Sequence, residues 1–75
     1  SLPAALRRQH QTKAGVWGVI RVLEGRLRLF VQGVAAPHDL DATHAGVVEP
    51  TQLHHVEPVG AVRVQVDFYD VPPPR

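Results

Sequence analysis

Residues 16–31 read VWGVIRVLEGRLRLFV, and the way this stretch is divided decides the fold. From Arg26 onward it alternates. Leu27, Leu29 and Val31 are apolar while Arg26 and Arg28 are charged, the two-residue period of a strand with one buried face. Val16 to Leu23 is more uniformly apolar and β-branched, as expected of a central strand. Between the two runs, Glu24-Gly25 suits a tight hairpin, with Gly25 supplying a residue at positive φ. The stretch therefore predicts two strands and a turn.

The rest of the chain has the same character. In Val62 to Tyr69 (VRVQVDFY) the even positions are apolar and most odd ones polar, which predicts another half-buried strand. Gly33 to Asp39 is expected as a loop, Leu40 to Thr43 as a short strand and His44-Ala45-Gly46 as a turn. Val47 to Glu49 runs into Pro50, which ends that strand or marks a bulge. His54 to Glu57 predicts a further short strand, stopped by Pro58 and Gly60. The tail Val71-Pro72-Pro73-Pro74-Arg75 cannot pair in a sheet and is expected to be extended and mobile. No 3.6-residue apolar stripe persists, and Pro3 to Arg8 makes at most one helical turn. Short antiparallel strands separated by frequent turns predict an all-β sandwich or barrel.

Seventy-five residues make a single expected domain, 1–75, with its core over about 10–70 and residues 71–75 as tail. A chain this small buries only roughly 60% of its unfolded surface, so a metal or a partner subunit is an expected staple. There is no cysteine, which excludes disulfides and thiolate metal sites. The formal net charge is +1, with acids and bases interspersed. Arg7-Arg8 is the longest basic run, and a stripe of cations with stacking aromatics is missing, so nucleic-acid binding is not expected. No apolar run approaches the ~20 residues of a membrane-spanning helix, so no membrane partner is expected and the cytoplasm is the expected location. With Ser1 first and no Met anywhere, the sequence is expected to be trimmed or cut from something longer.

HQTKAGVWGVIRVLEGRLRL (10–29) followed by GVVEPTQLHHVEPVGAVRVQVDFY (46–69) resembles the tellurite-resistance-related cupin-like family. Members of that family occur as small free-standing bacterial proteins and as a domain fused to a tellurite-resistance methyltransferase. The resemblance implies a cupin-type, jelly-roll-like barrel whose open mouth holds a ligand. Val22-Leu23-Glu24-Gly25 matches the turn of the first cupin motif, and His10 sits near its first His. Thr12 stands where cupins carry the second His, and Gly18 where they carry the Glu. In the second motif the general spacing from Pro50 selects His55, whereas the tellurite-related pattern selects His54, followed by Glu57 in HxxE spacing.

His10, His54 and Glu57 are thus the candidate metal ligands, suited to zinc or a similar divalent ion with N and O donors. The alternative for the histidines is a pair of polar strand-end residues that only hydrogen-bond. His54 and His55 point to opposite faces of a strand, and in a regular strand Glu57 shares the face of His55. A bulge near Pro50 would bring Glu57 round to His54. Lys13, Trp17 and Arg21 form a second candidate set, for a small anion. For Trp17 the alternative is simple packing of a large ring. Asp67 is expected to pair across strands with Arg26 or Arg28. Gly25, Gly46 and Pro50 are expected as structural turn residues. No nucleophile with a base and orienter stands out, and no Gly-rich phosphate loop is present.

These features lead to an expected cupin-like protein that binds a metal ion or small anion in its mouth, in an oxyanion-stress role, as a homodimer. The alternatives are a metal-dependent cupin enzyme with His10 and His54 as ligands, and an interaction module without a ligand.

Overall fold

The computed structural model describes residues 11–73. Among these residues the chain is all-β, with four strands: β1 Trp17–Val31, β2 His38–Leu40, β3 Gly46–Val48 and β4 His54–Tyr69. Every pairing is antiparallel. β1 lies in the middle, as the apolar run around Val19 requires. β4 pairs along one side of it from Trp17↔Tyr69 to Val31↔His54. On the other side β3 covers Gly18–Ile20 and β2 covers Leu27–Leu29.

The hairpin expected at Glu24-Gly25 is absent. Residues 17–31 form one strand, and both of its halves pair with successive parts of β4. Gly25 does have positive φ, +84°, but it serves a bulge: the register shifts between Val22 and Glu24 and again between Glu24 and Arg26. From the Val22↔Val64 pair to the Leu27↔Pro58 pair, five steps along β1 match six along β4. The odd difference moves the buried face of β1 from even positions (Ile20, Val22) to odd ones (Leu27, Leu29, Val31). Gly25 is also obligatory for space. A Cβ there would collide with the carbonyl oxygen of Ala61 and lie 3.1 Å from Val62 Cγ1.

β4 likewise continues where an interruption was expected, through Pro58 and through Gly60 at φ +76°. β1 is its sole strand partner among the described residues, so it is an edge strand, where a proline is tolerated. β2 starts at His38, inside the expected loop, where His38 and Asp39 pair with Leu29 and Arg28, and it ends at Leu40 instead of Thr43 because Asp41 starts a tight turn. Its Oδ1 accepts from the Thr43 N–H at 2.9 Å and from the Thr43 hydroxyl at 2.8 Å. Gly46 opens β3 and is no part of that turn. A Cβ there would stand 2.8 Å from Leu40 Cδ1 and 3.0 Å from Leu29 Cδ2, so its absence lets these leucines close over the strand. Pro50 does terminate β3, in a turn in which the Gln52 N–H donates to the Glu49 carbonyl at 3.2 Å.

One face of the sheet carries the core: Ile20, Val22, Leu27, Leu29, Val31, Leu40, Val48, Val56 and Val62, with Val64 and Val66 packed at its margin. The sheet is not closed among the described residues, since no pairing joins β4 to β2 or β3. Among these residues the strand pairings build an open antiparallel sheet, and the expected barrel is not confirmed. Within the tail Pro73 is buried, contrary to the mobile segment expected there. The turn expected over Pro3–Arg8, and the last two tail residues, lie outside the described residues.

Candidate functional site

At the end of the sheet where β1 begins and β4 ends, the core side opens into a cleft of about 350 Å³. Its apolar walls are Val16, Ile20, Val48, Val66 and Phe68, and Gly18 leaves room between them. The polar groups are gathered at Gln11, Thr12 and Lys13 on one side and at His54.

The local sequence explains how these groups are held. The Val16 N–H donates to the Lys13 carbonyl at 3.0 Å, with Gly15 at φ +80° in the third position of that turn, as a type II turn demands. The Thr12 hydroxyl donates to the Val16 carbonyl at 2.7 Å and accepts the Thr51 N–H at 3.3 Å. The Lys13 turn is thereby tied to the Glu49–Gln52 turn. From there the chain reaches His54, whose Nδ1–H donates to the Gln52 carbonyl at 2.9 Å. His54 is 3% exposed, the one buried polar side chain among the described residues. With Nδ1 as donor, the neutral ring carries its acceptor lone pair on Nε2. No buried side-chain polar atom is left unsatisfied among the described residues.

Of the expected metal set, His54 and Glu57 are not brought together. His54 faces the core, whereas Glu57 is exposed on the other face and sits 3.5 Å from His55 Nε2. His54 to Glu57 is a regular stretch of β4, and no bulge near Pro50 turns Glu57 inward. His55 stacks on Phe30, its pairing partner, with ring centroids 4.7 Å apart. His10 lies outside the described residues. Among the described residues no group of three or more His, Asp or Glu side chains is placed to hold a metal ion.

The anion set is divided as well. Lys13 reaches the cleft, but Trp17 and Arg21 occupy odd positions of β1 and face away from it. Arg21 Nε donates to Asp67 Oδ2 at 2.9 Å, and its guanidinium also approaches the Tyr69 hydroxyl. Arg21, and not Arg26 or Arg28, is thus the partner of Asp67. This contact, with the Gln65 amide, holds the Asp67 carboxyl below its usual range, and the same contact raises Arg21. Arg28 pairs with Asp39 across β1 and β2, and Arg63 with Glu24 across β1 and β4. Sequence reasoning missed Gln11, Thr12, Val66 and Phe68 as cleft residues. The alternation of 62–69 did place Val66 and Phe68 on the inner face, whereas nothing in the run Gln11-Thr12-Lys13 announces its position at a rim.

The family model of the TehB-like domain matches residues 1–66. The chain belongs to the TehB-like domain family. Outside the family model, it is 36% identical over 62 residues to a probable S-adenosyl-L-methionine-dependent methyltransferase, TehB of Haemophilus influenzae, covering 76% of this chain and 22% of that protein. The crystal structure of TehB from Haemophilus influenzae matches with a TM-score of 0.78 at 31% identity, over 91% of this chain and 26% of that one. This TehB-like chain therefore spans only about a quarter of the relatives it matches. The comparisons do not confirm a cupin. Among the described residues, no helix is long and apolar enough to cross a membrane.

Proposed function

We propose that this TehB-like chain is a ligand-binding β-module serving tellurite-resistance chemistry, which holds a small anion in the cleft for a methyltransferase of the TehB kind. The observation that carries this reading is the lysine at the polar rim of a cleft with apolar walls, which His54 also lines, held by the Gln52 carbonyl. An ammonium beside an apolar wall attracts an anion more strongly than one in open water. Methyl transfer is named for the Haemophilus influenzae relative, and in this proposal the present chain supplies binding and orientation. Titration with sodium tellurite, followed by amide and side-chain NMR shifts, tests it. Shifts should centre on residues 11–13, 18 and 54. Lys13→Ala should weaken binding at least about tenfold, the equivalent of ~1.4 kcal/mol. Absence of any shift at millimolar tellurite, or shifts unchanged by Lys13→Ala, would overturn it.

A divalent metal is the second reading, favoured by the Nδ1–H contact of His54 to a backbone carbonyl. Such a contact is the usual support of a ligating imidazole. Here His54 and His10 would be ligands, with water or substrate completing the shell. Metal analysis of the purified chain, and of His10→Ala and His54→Ala, should then find stoichiometric metal lost in both variants. Background metal in the parent chain rejects this reading.

A further inference from the structure

The outer edge of β4 is paired with no other described strand. Its two halves differ. Around Pro58 and Gly60 the edge is broken by a residue without an N–H and by a left-handed φ of +76°, both of which blunt a template for pairing. From Arg63 to Tyr69 it is extended without interruption, with β1 matched residue by residue from Val64 onward. Along this half the core-side residues emerge progressively from cover, from Val62 at 9% exposed to Phe68 at 66%. A long, regular edge beside an uncovered apolar face is an unusual thing to leave in water.

We propose that this edge pairs with the same segment of a second copy of the chain, antiparallel about a two-fold axis at Gln65. The side chains select that register. With Gln65 opposite itself, Val64 meets the partner's Val66 and Val62 meets the partner's Phe68 on the core side. On the other face Arg63 meets the partner's Asp67. Arg63 already holds Glu24 at 3.1 Å, and Asp67 already holds Arg21 at 2.9 Å. The new pair therefore completes a row of alternating sign across both sheets, from Glu24 through Arg63 and the partner's Asp67 to the partner's Arg21. Symmetry repeats the row. A slip of one residue would set valines against Arg63 and Gln65, and a slip of two would leave Arg63 facing Gln65 or Tyr69. The pairing joins two open sheets into one and extends the apolar layer past Phe68, which also walls the cleft.

The chain has no cysteine, so one introduced thiol reports one contact. Across an antiparallel ladder the two copies of residue 65 lie about 4.5–5.5 Å apart at Cα, within the ~4.4–6.8 Å that a disulfide spans. Light scattering should give twice the 8.2 kDa chain mass at high micromolar concentration. Gln65→Cys should cross-link under mild oxidation more than about tenfold faster than Gln32→Cys, an exposed control outside β4, because its thiols are held at high effective concentration. A monomer mass overturns the proposal. A dimer in which the two cysteine variants cross-link at equal rates overturns it too, since the interface then lies elsewhere. A monomer in which the alternate 62–69 amides that point away from β1 are also protected from exchange overturns it as well, and assigns the edge to another segment of the same chain.

Discussion

Gly25 and Thr51 both hold left-handed backbone, at φ +84° and +62°, and their chemistry gives opposite expectations. At Gly25 the conformation builds the bulge, and any Cβ would strike the Ala61 carbonyl. Gly25→Ala should destabilise by at least about 1–3 kcal/mol, since backbone strain adds to the collision. Thr51 sits third in the turn after Glu49, with Pro50 before it, the place in a type II turn that normally carries glycine. It is β-branched and exposed, and its Oγ1–H donates only to the adjacent Pro50 carbonyl at 2.6 Å. Thr51→Gly should stabilise by about 0.5–1 kcal/mol, the relief of strain outweighing the extra freedom of the unfolded chain. Urea melts of both variants check the pair of signs. Loss of stability in Thr51→Gly would show that the hydroxyl contact matters more than the backbone.

At the scale of elements, the outer face of β1 and β4 is joined by polar contacts with a definite pH sense. Arg21 and Gln65 hold Asp67 ionised, and His44 with Thr43 does the same for Asp41 in the turn between β2 and β3. Both carboxyls are depressed in the folded chain. Their contribution is therefore present above the ordinary aspartate value and is lost as pH falls from about 4 through the lower folded values. The urea midpoint should decline across that acid range, and less steeply in Asp67→Asn and Asp41→Asn. A parent chain with a flat midpoint down to pH 2 would mean that these exposed contacts add nothing. The alternation that marks this face was legible in residues 62–69, and so was the inward set Leu27, Leu29 and Val31. The continuity of β1 was not, because a glycine at positive φ serves a turn and a bulge equally well. The clue was the change from even to odd apolar positions across Gly25, which a bulge within one strand produces.

For the whole molecule, size governs how much any one contact matters. The radius of gyration is 11.4 Å, matching the roughly 11 Å of a compact chain of this length. The histidines at 10 and 54 carried the sequence expectation of a site. His54 lies beside the cleft with Lys13, while His10 is outside the described residues. The meeting of Lys13 with His54 depends on how the sheet brings distant turns together, and no local pattern encodes that. The core is equally a property of the whole. Leu29 is 1% exposed, pairs with His38 of β2 and Val56 of β4, and packs under Gly46 of β3, so all four strands meet around it. A chain of 75 residues has a total stability of about 4–11 kcal/mol, and truncating a buried leucine removes about 2–5 of it. At ~4–8 °C per kcal/mol, Leu29→Ala should lower the melting midpoint by about 8–40 °C, and near the upper end the chain would be largely unfolded at 37 °C. Leu23→Ala, at a β1 position that is 45% exposed, should move it by only a few degrees. Circular-dichroism melts of the two variants side by side decide the matter. Equal shifts would mean that the core face around Leu29 is not where this small protein keeps its stability.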